Sequence, residues 1–218
     1  MPLRIAVLAS GRGSNLQAIL DAIAAGSLDA EVIGVWSDRR DAVALERARL
    51  AGIPAAAIRP RDYADRGAHD AALFGAVDAA GPDLIVCAGY MRLIGAAAVN
   101  ARPGRMINIH PSLLPLFKGL HTHQQAIDAG SVEHGASVHV VTADLDGGPV
   151  LAQARVPVQP DDDADRLAAR VLAREHPLLL ETLRTIASGA LDLQAAPVRM
   201  NGQPLAAPLQ LAANNRFA

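Results

Sequence analysis

An amide and an imidazole lie two residues apart in the segment Asn108-Ile109-His110-Pro111. The run Arg105–Ile109 predicts a β-strand, and side chains two apart on a strand project from the same face. Asn108 and His110 could therefore donate hydrogen bonds to one oxygen that becomes negative during a reaction. A purely structural strand end is the alternative, but the pairing and the stiff loop begun by Pro111 favour chemistry.

A carboxylate that could complete this set lies in the turn Asp144-Leu145-Asp146-Gly147-Gly148-Pro149. We interpret Asp144 as a hairpin-turn residue. Asp146 could face a cleft and accept a proton at the reacting centre. A carboxylate near His110 is also expected to raise the pKa of that histidine and favour imidazolium.

A glycine-bearing turn, Ser10-Gly11-Arg12-Gly13-Ser14-Asn15, separates a predicted strand from a predicted helix. Backbone N–H groups and the positive helix end make such a turn a phosphate site, while a tight turn that needs glycine only for its backbone angles is an equal alternative. Leu16 stands where a dinucleotide fingerprint needs a third glycine, so a nicotinamide cofactor is disfavoured although Asp38 could meet a ribose. A single phosphate fits this short turn better.

The other polar candidates support weaker interpretations. His121 and His123 flank Thr122, and with His110 they could suggest a metal site; a polar loop with Thr122 as a helix N-cap is favoured, because zinc sites show clearer ligand spacing. His139, in mid-strand, is interpreted as a core or cleft-lining residue. Three further histidines are predicted at the surface or behind the site, and one cysteine in a buried strand: His69, His134, His176 and Cys87.

Alternating strands and helices must position these residues. Apolar runs predict five strands in the first half, the pattern of a parallel sheet with right-handed crossovers. Two later runs predict an antiparallel pair, followed by a long helix with acidic residues at its start. The fold class is therefore α/β, a Rossmann-like doubly wound, mostly parallel sheet with an antiparallel pair in the C-terminal half. The predicted strands are 3–9, 31–37, 53–58, 83–88, 105–109, 136–143 and 150–158; the helices are 16–25, 42–51, 66–80 and 161–183.

Composition excludes several classes of protein. Of the 218 residues, 51% are hydrophobic and 19% charged, which indicates a folded globular chain rather than a disordered one. The net charge of −2 gives no basic excess for nucleic acid, and the single cysteine precludes an intrachain disulfide. We expect a cytoplasmic protein, because no apolar run is long enough to span a bilayer.

Taken together, these segments and two others resemble the glycinamide ribonucleotide transformylases (phosphoribosylglycinamide formyltransferases), folate-dependent enzymes of purine synthesis. The resemblance extends from Ile5 to about Leu191. It rests on the glycine-bearing turn, on the Asn-His-Pro and Asp-Gly-Gly-Pro segments, and on Gly89-Tyr-Met-Arg-Leu93 and Gly119-Leu-His-Thr-His123.

This resemblance implies transfer of a formyl group from 10-formyltetrahydrofolate, as co-substrate, to the amine of glycinamide ribonucleotide, without a metal. Asn108, His110 and Asp146 are the implied catalytic set, and Glu175 would meet the glycinamide. The implied phosphate-binding residues are Gly13, Ser14 and Asn15. The implied folate-binding residues are Arg66, Met91, Arg92, Leu93, Ile94, Asn108, Val141 and Asp144.

Two departures from the family pattern are present. Tyr90 stands where phenylalanine is common, which should change little. Leu116-Phe117-Lys118 replaces the usual order of basic residue, aromatic residue and proline. We predict one formyltransferase domain over 1–190, with a phosphate-binding half (1–110) and a folate-binding and catalytic half (111–190), followed by a loosely packed tail (191–218). A monomer and a homodimer are both compatible with the family.

Three rival functions remain at this stage. A formyltetrahydrofolate hydrolase would use water in place of the amine, and that enzyme typically carries a regulatory domain before the first strand. A methionyl-tRNA formyltransferase would need a further RNA-contacting domain. A non-catalytic nucleotide sensor would use only the glycine-bearing turn, and leaves Asn108, His110 and Asp146 unexplained.

Overall fold

The computed structural model describes all 218 residues, and they divide into two compact units, Met1–Asn108 and Ile109–Ala218. The first unit contains a parallel sheet with strand order β3-β2-β1-β4-β5. Its strands are β1 (Leu3–Leu8), β2 (Ala30–Ser37), β3 (Ala55–Ala57), β4 (Leu84–Cys87) and β5 (Met106–His110), whose last two residues begin the second unit. Its helices are α1 (Ser14–Ala24), α2 (Val43–Leu50), α3 (Arg66–Ala79) and α4 (Ala96–Asn100), with a 3₁₀ turn at Pro60–Asp62.

The core of this sheet explains the sequence pattern. All residues of β1 from Ile5 to Leu8 are fully buried, as expected of a strand covered on both faces. The strand order reverses direction between β1 and β4, and open α/β sheets bind ligands at the carboxyl ends of the strands at such a point. The glycine-bearing turn follows β1 there.

The second unit is built on an antiparallel pair, β6 (Glu133–Val140) and β7 (Val150–Pro157), with β11 (Leu209–Gln210) parallel to β7. Its helices are α5 (Thr122–Asp128) and α6 (Ala164–Ala187), and β8 (Leu191–Asp192), β9 (Arg199–Met200) and β10 (Gln203–Pro204) form a small antiparallel sheet. The predicted α/β class, with a parallel sheet and a later antiparallel pair, is confirmed. No helix in the chain is long and apolar enough to cross a membrane.

The prediction of a loosely packed tail was wrong. The tail contains short strands, and its Arg216 forms an ion pair with Glu181 of α6. Nη1 of Arg216 lies 2.9 Å from Oε2 of Glu181. Arg174 of α6 also donates to the carbonyl oxygens of Leu211 and Ala212. The prediction failed because these partners are polar and distant in sequence, so no apolar periodicity announces them.

The short helix α4 was not predicted, and α5 begins at the helix start expected around Thr122. Thr122 does not cap α5 as expected: it is the first residue of the helix, His121 is the N-cap, and no side chain caps it. The buried Thr122 hydroxyl instead donates to the carbonyl oxygen of Pro111 at 2.6 Å. The hydroxyl of the first helical residue thus ties α5 to the loop after His110.

Candidate active site

The glycine-bearing turn has the backbone geometry of an anion site. Gly13 is the N-cap of α1 with φ 69°, and no side chain occupies the cap. A Cβ at Gly13 would lie 2.8 Å from the Cα of Ala44, so this position requires glycine for space as well as for conformation. A helix N-terminus without a side-chain cap, entered through a glycine turn, suits an external acceptor such as a phosphate.

Hydrogen bonds tie this turn to the segment after β4. The Ser10 amide donates to the Gly89 carbonyl oxygen at 3.0 Å, and the Met91 amide donates to the Ser10 hydroxyl at 2.9 Å. Met91 and Leu93 leave 67% and 58% of their surface exposed. Large apolar side chains open to solvent beside a binding turn favour an apolar ligand surface.

A separate cavity of about 460 Å³ lies in the first unit between α3 and α4. Arg66, the exposed first residue of α3, lines it together with Phe74 and Arg102. Arg102 is already paired with Asp78 and stacks on Phe74, 4.4 Å from the ring centroid. Arg66 has no such carboxylate partner, so its guanidinium is available to an anionic group.

In the second unit, His110 and Asp146 lie close together although they are far apart in the chain. Nδ1 of His110 lies 3.5 Å from Oδ2 of Asp146, and both side chains are less than a tenth exposed. His139 reaches the other carboxylate oxygen, with 3.5 Å between its Nε2 and Oδ1 of Asp146. The strand register shifts beside His139, and such bulges re-aim side chains near functional sites.

Backbone carbonyls determine which ring nitrogens carry protons. Nε2 of His110 lies 3.0 Å from the carbonyl oxygen of Phe117, and Nδ1 of His139 lies 3.0 Å from that of Val140. A carbonyl oxygen only accepts, so both of these nitrogens donate. Nδ1 of His110, which faces Asp146, can donate only when the ring is cationic.

The expectation of a raised pKa for His110 was wrong. Burial lowers the pKa of His110, and the opposing effects of the Phe117 carbonyl and the Asp146 charge do not restore it. The carboxylate acts in the expected direction, but desolvation of the charged ring is larger. His110 is therefore neutral near pH 7, with its proton on Nε2.

Asp146 is held as a carboxylate. Burial raises its pKa, but hydrogen bonds from His139 and from the Gly119 amide, with the charges of His110 and His139, lower the pKa further than burial raises it. The Gly119 amide donates to Oδ2 at 2.9 Å. An ionised acid beside a neutral imidazole can accept a proton and hold it between them.

The comparisons with known proteins agree on one family. The family described as formyl transferase matches residues 3–183. The phosphoribosylglycinamide formyltransferase of Escherichia coli is 45% identical over 93% of this chain and 96% of its own, and that of Mycobacterium tuberculosis 42% over 86% of each. The corresponding structure from Coxiella burnetii superposes with a TM-score of 0.90, at 47% identity over 94% of this chain and 97% of its own.

The chain belongs to the formyl transferase family.

Among the residues that the sequence assigns to a formyl transferase site, the second unit brings His110 and Asp146 together, and β5 carries Asn108 two residues before His110. Asp144 is exposed and its carbonyl oxygen accepts the Gly147 amide at 3.1 Å, as expected of a turn residue. The roles of the other folate- and nucleotide-binding candidates remain predictions. Of these, Arg92 is exposed and three are partly buried: Ile94, Val141 and Glu175.

Two groups at this site escape sequence reasoning, the Phe117 carbonyl and the Gly119 amide, because no residue type reveals the use of a backbone group. His139, interpreted from sequence as a core or cleft-lining residue, is buried beside Asp146. His69 and His134, expected at the surface or behind the site, are 1% and 0% exposed and therefore do not lie at the surface. Nε2 of His134 lies 3.2 Å from Nδ1 of His123, and no group of three or more His, Cys, Asp or Glu residues is arranged to hold a metal ion.

Proposed function

We propose that this chain transfers the formyl group of 10-formyltetrahydrofolate to the amine of glycinamide ribonucleotide. The observation that carries the proposal is the buried pair of His110 and Asp146 at 3.5 Å, in a chain similar over nearly its whole length to phosphoribosylglycinamide formyltransferases. An imidazole N–H and a carboxylate are the groups that acyl transfer to an amine requires.

The nucleotide phosphate binds at the glycine-bearing turn, on the amides that begin α1. Gly13 allows the close approach, Ser14 adds its hydroxyl, and Asn15 completes the set. Within the first unit, β4 alone separates β1 from β5, and neighbouring strands lie about 4.8 Å apart. The turn after β1 and the Asn108 amide on β5 are therefore about 10 Å apart across the sheet, a span suited to a phosphoribosyl group. Glu175 binds the glycinamide end.

The folate lies along the exposed apolar side chains of Met91 and Leu93, and its anionic tail reaches Arg66. Arg92 and Ile94 extend this surface in the first unit, and the family resemblance also assigns Val141 and Asp144 of the second unit to folate binding. This assignment is supported by the exposure of the apolar residues and by the lack of a carboxylate partner for Arg66.

The amine nitrogen attacks the formyl carbon, and the carbonyl electron pair moves to oxygen. The Asn108 amide and the Nε2–H of neutral His110 donate to this oxyanion; the Phe117 carbonyl gives up that N–H to it. When the carbonyl re-forms, the bond from carbon to N10 of the folate breaks. The proton lost by the amine is held between Asp146 and Nδ1 of His110 and passes, through water, to N10.

The test is a steady-state formyl transfer assay with both substrates. Asn108→Ala and Asp146→Asn should each lower turnover about 100- to 1,000-fold, the effect of losing one group that stabilises developing charge. Circular dichroism checks that both variants are folded. Near-normal turnover in both variants would reject the catalytic assignment.

The same assay separates the rival reactions. Formate release in the absence of glycinamide ribonucleotide, at a rate close to that of transfer, would identify a hydrolase. Failure to bind folate in calorimetry would identify a nucleotide sensor. We expect the protein to act in the cytoplasm on small molecules, as a monomer or homodimer.

A further inference from the structure

A three-residue segment, Phe117-Lys118-Gly119, contacts both catalytic side chains of the second unit with its backbone. Its carbonyl at Phe117 accepts from Nε2 of His110 at 3.0 Å, and its amide at Gly119 donates to Oδ2 of Asp146 at 2.9 Å. We call it the 117–119 segment. A backbone acceptor of this segment thus faces the imidazole N–H, and a backbone donor faces the carboxylate.

The first contact selects the reactive tautomer. With Nε2 protonated, Nδ1 of neutral His110 turns its lone pair toward the Asp146 carboxylate at 3.5 Å, so no hydrogen bond joins these two acceptors. This nitrogen is ready to accept a proton, and the carboxylate beside it would stabilise the resulting charge. The other tautomer would leave the Phe117 carbonyl without its N–H.

The second contact orients the acid. Asp146 has φ 45°, in the left-handed region that few side-chain-bearing residues adopt. Its Oδ2 faces Gly119 and His110, and its Oδ1 faces His139. The Gly119 amide is the nearest of these three groups, at 2.9 Å, and it acts on Oδ2 together with the His139 ring on Oδ1.

The segment itself depends on unusual backbone angles. Phe117 has φ 52° and Gly119 φ 80°. Packing holds this conformation: the Phe117 ring meets His134 edge-on, and a Cβ at Gly119 would lie 3.8 Å from Leu145. The Lys118 ammonium lies 3.5 Å from where a Cβ of Gly147 would be, against the turn that carries Asp146.

We infer that the 117–119 segment is a positioning element for the formyl transfer proposed above, orienting His110 through the Phe117 carbonyl and Asp146 through the Gly119 amide. The segment touches no reacting atom in this role. Before substrate binds, the Phe117 carbonyl accepts the Nε2–H of His110. During the reaction the oxyanion accepts this N–H in its place.

The experiment compares three glycine variants. Gly119→Ala should lower kcat about tenfold and raise the acid-limb pKa of the kcat profile by about one unit, because the strained backbone withdraws a donor from an ionised acid. Gly119→Asn should recover most of both effects, since asparagine tolerates a positive φ and keeps the amide. Gly130→Ala is the matched control: Gly130 has φ 62° with open space around it, so it should lose similar stability and keep the wild-type pH profile.

Replacing the Gly119 amide by an ester, through incorporation of glycolic acid, decides the matter if Gly119→Ala fails to fold. The Asp146 carboxyl carbon, followed by ¹³C NMR and assigned with Asp146→Asn, should titrate about one pH unit higher in the ester. An unchanged titration and acid limb in both variants would overturn the positioning role. An active Asp146→Asn enzyme would instead overturn the proposed function, so the two failures are distinguishable.

Discussion

The two units differ in what they bury. The first unit buries five polar or charged side chains and the second nine. Those of the first unit are Ser10, Asn15, Ser37, His69 and Asp70; those of the second are His110, Ser112, Thr122, His134, Ser137, His139, Gln153, Glu181 and Thr182. The first unit therefore resembles an apolar scaffold, and the second a polar network.

Buried polar groups are costly unless they are hydrogen-bonded, and the second unit satisfies them in sets. The Ser137 hydroxyl donates to the Ser112 carbonyl at 2.7 Å and accepts from the Leu114 amide and the Gln153 side chain. This set fixes the loop that leaves His110. The first unit presents backbone groups for binding and ends at Asn108, while the second unit orients the His110 and Asp146 side chains.

Removing the His110 imidazole should have the largest effect on turnover of all the changes considered. His110→Ala is expected to lower kcat about 100- to 1,000-fold while the Michaelis constant for the nucleotide changes little. Steady-state kinetics measure both. A rise in the Michaelis constant with unchanged kcat would assign binding, rather than chemistry, to the second unit.

The turn of the first unit should give the opposite pattern. In Gly13→Ala, a Cβ 2.8 Å from the Cα of Ala44 displaces the amides of α1, and the Michaelis constant for the nucleotide should rise about tenfold to hundredfold through loss of a hydrogen bond to a charged group. The control is Gly26→Ala, with φ 65° and open space, which should leave the constant unchanged. An equal rise of the Michaelis constant in both variants would contradict the assignment of phosphate binding to the turn at Gly13.

Acid should destabilise the second unit through His134. Burial first, and then the charges of His123 and His110, lower the pKa of His134 to about 4, while an unfolded histidine titrates near 6.5. Between these values the unfolded chain binds more protons, so the free energy of unfolding should fall by about 3 kcal/mol as the pH drops from 6.5 to 4. Urea titrations should show a shallower fall for His134→Gln; parallel pH curves would argue against this assignment.

The smallest effect is expected from Tyr90→Phe in the first unit. The Tyr90 hydroxyl is buried without a hydrogen-bond partner, and burial, followed by the charge of Asp38, raises the pKa of Tyr90. Removing it should change the free energy of unfolding by less than about 1 kcal/mol and leave kinetics unaltered. A marked loss of activity would contradict this expectation and would mean that the hydroxyl contacts a ligand.

The difference between the apolar first unit and the polar second unit also explains which features the sequence could predict. Continuous apolar runs such as Leu3–Leu8 identified the strands of the parallel sheet within one or two residues, because burial on both faces leaves a clear pattern. His110 and Asp146 could be named from residue types and the family resemblance. The desolvation of His110 could not, because it depends on burial by residues remote in sequence.

The use of backbone groups at the site is the second feature that the sequence could not predict. The Phe117 carbonyl and the Gly119 amide belong to every residue alike, so their use at the site depends on conformation alone. The sequence feature that pointed to this segment was Gly119, a glycine next to Leu116-Phe117-Lys118, which departs from the family pattern. The tail was misjudged for a related reason, since Arg216 finds Glu181 only in three dimensions.

The short strand β11 has a consequence for how the protein is handled. It pairs with β7 through Leu209 and Gln210, and the Leu211 amide donates to the Gln153 carbonyl at 2.9 Å. An uncovered strand edge is a template for pairing with another chain. Shortening the protein ahead of Leu209 would uncover that edge, and the truncated protein should self-associate on storage where the full-length chain stays dispersed.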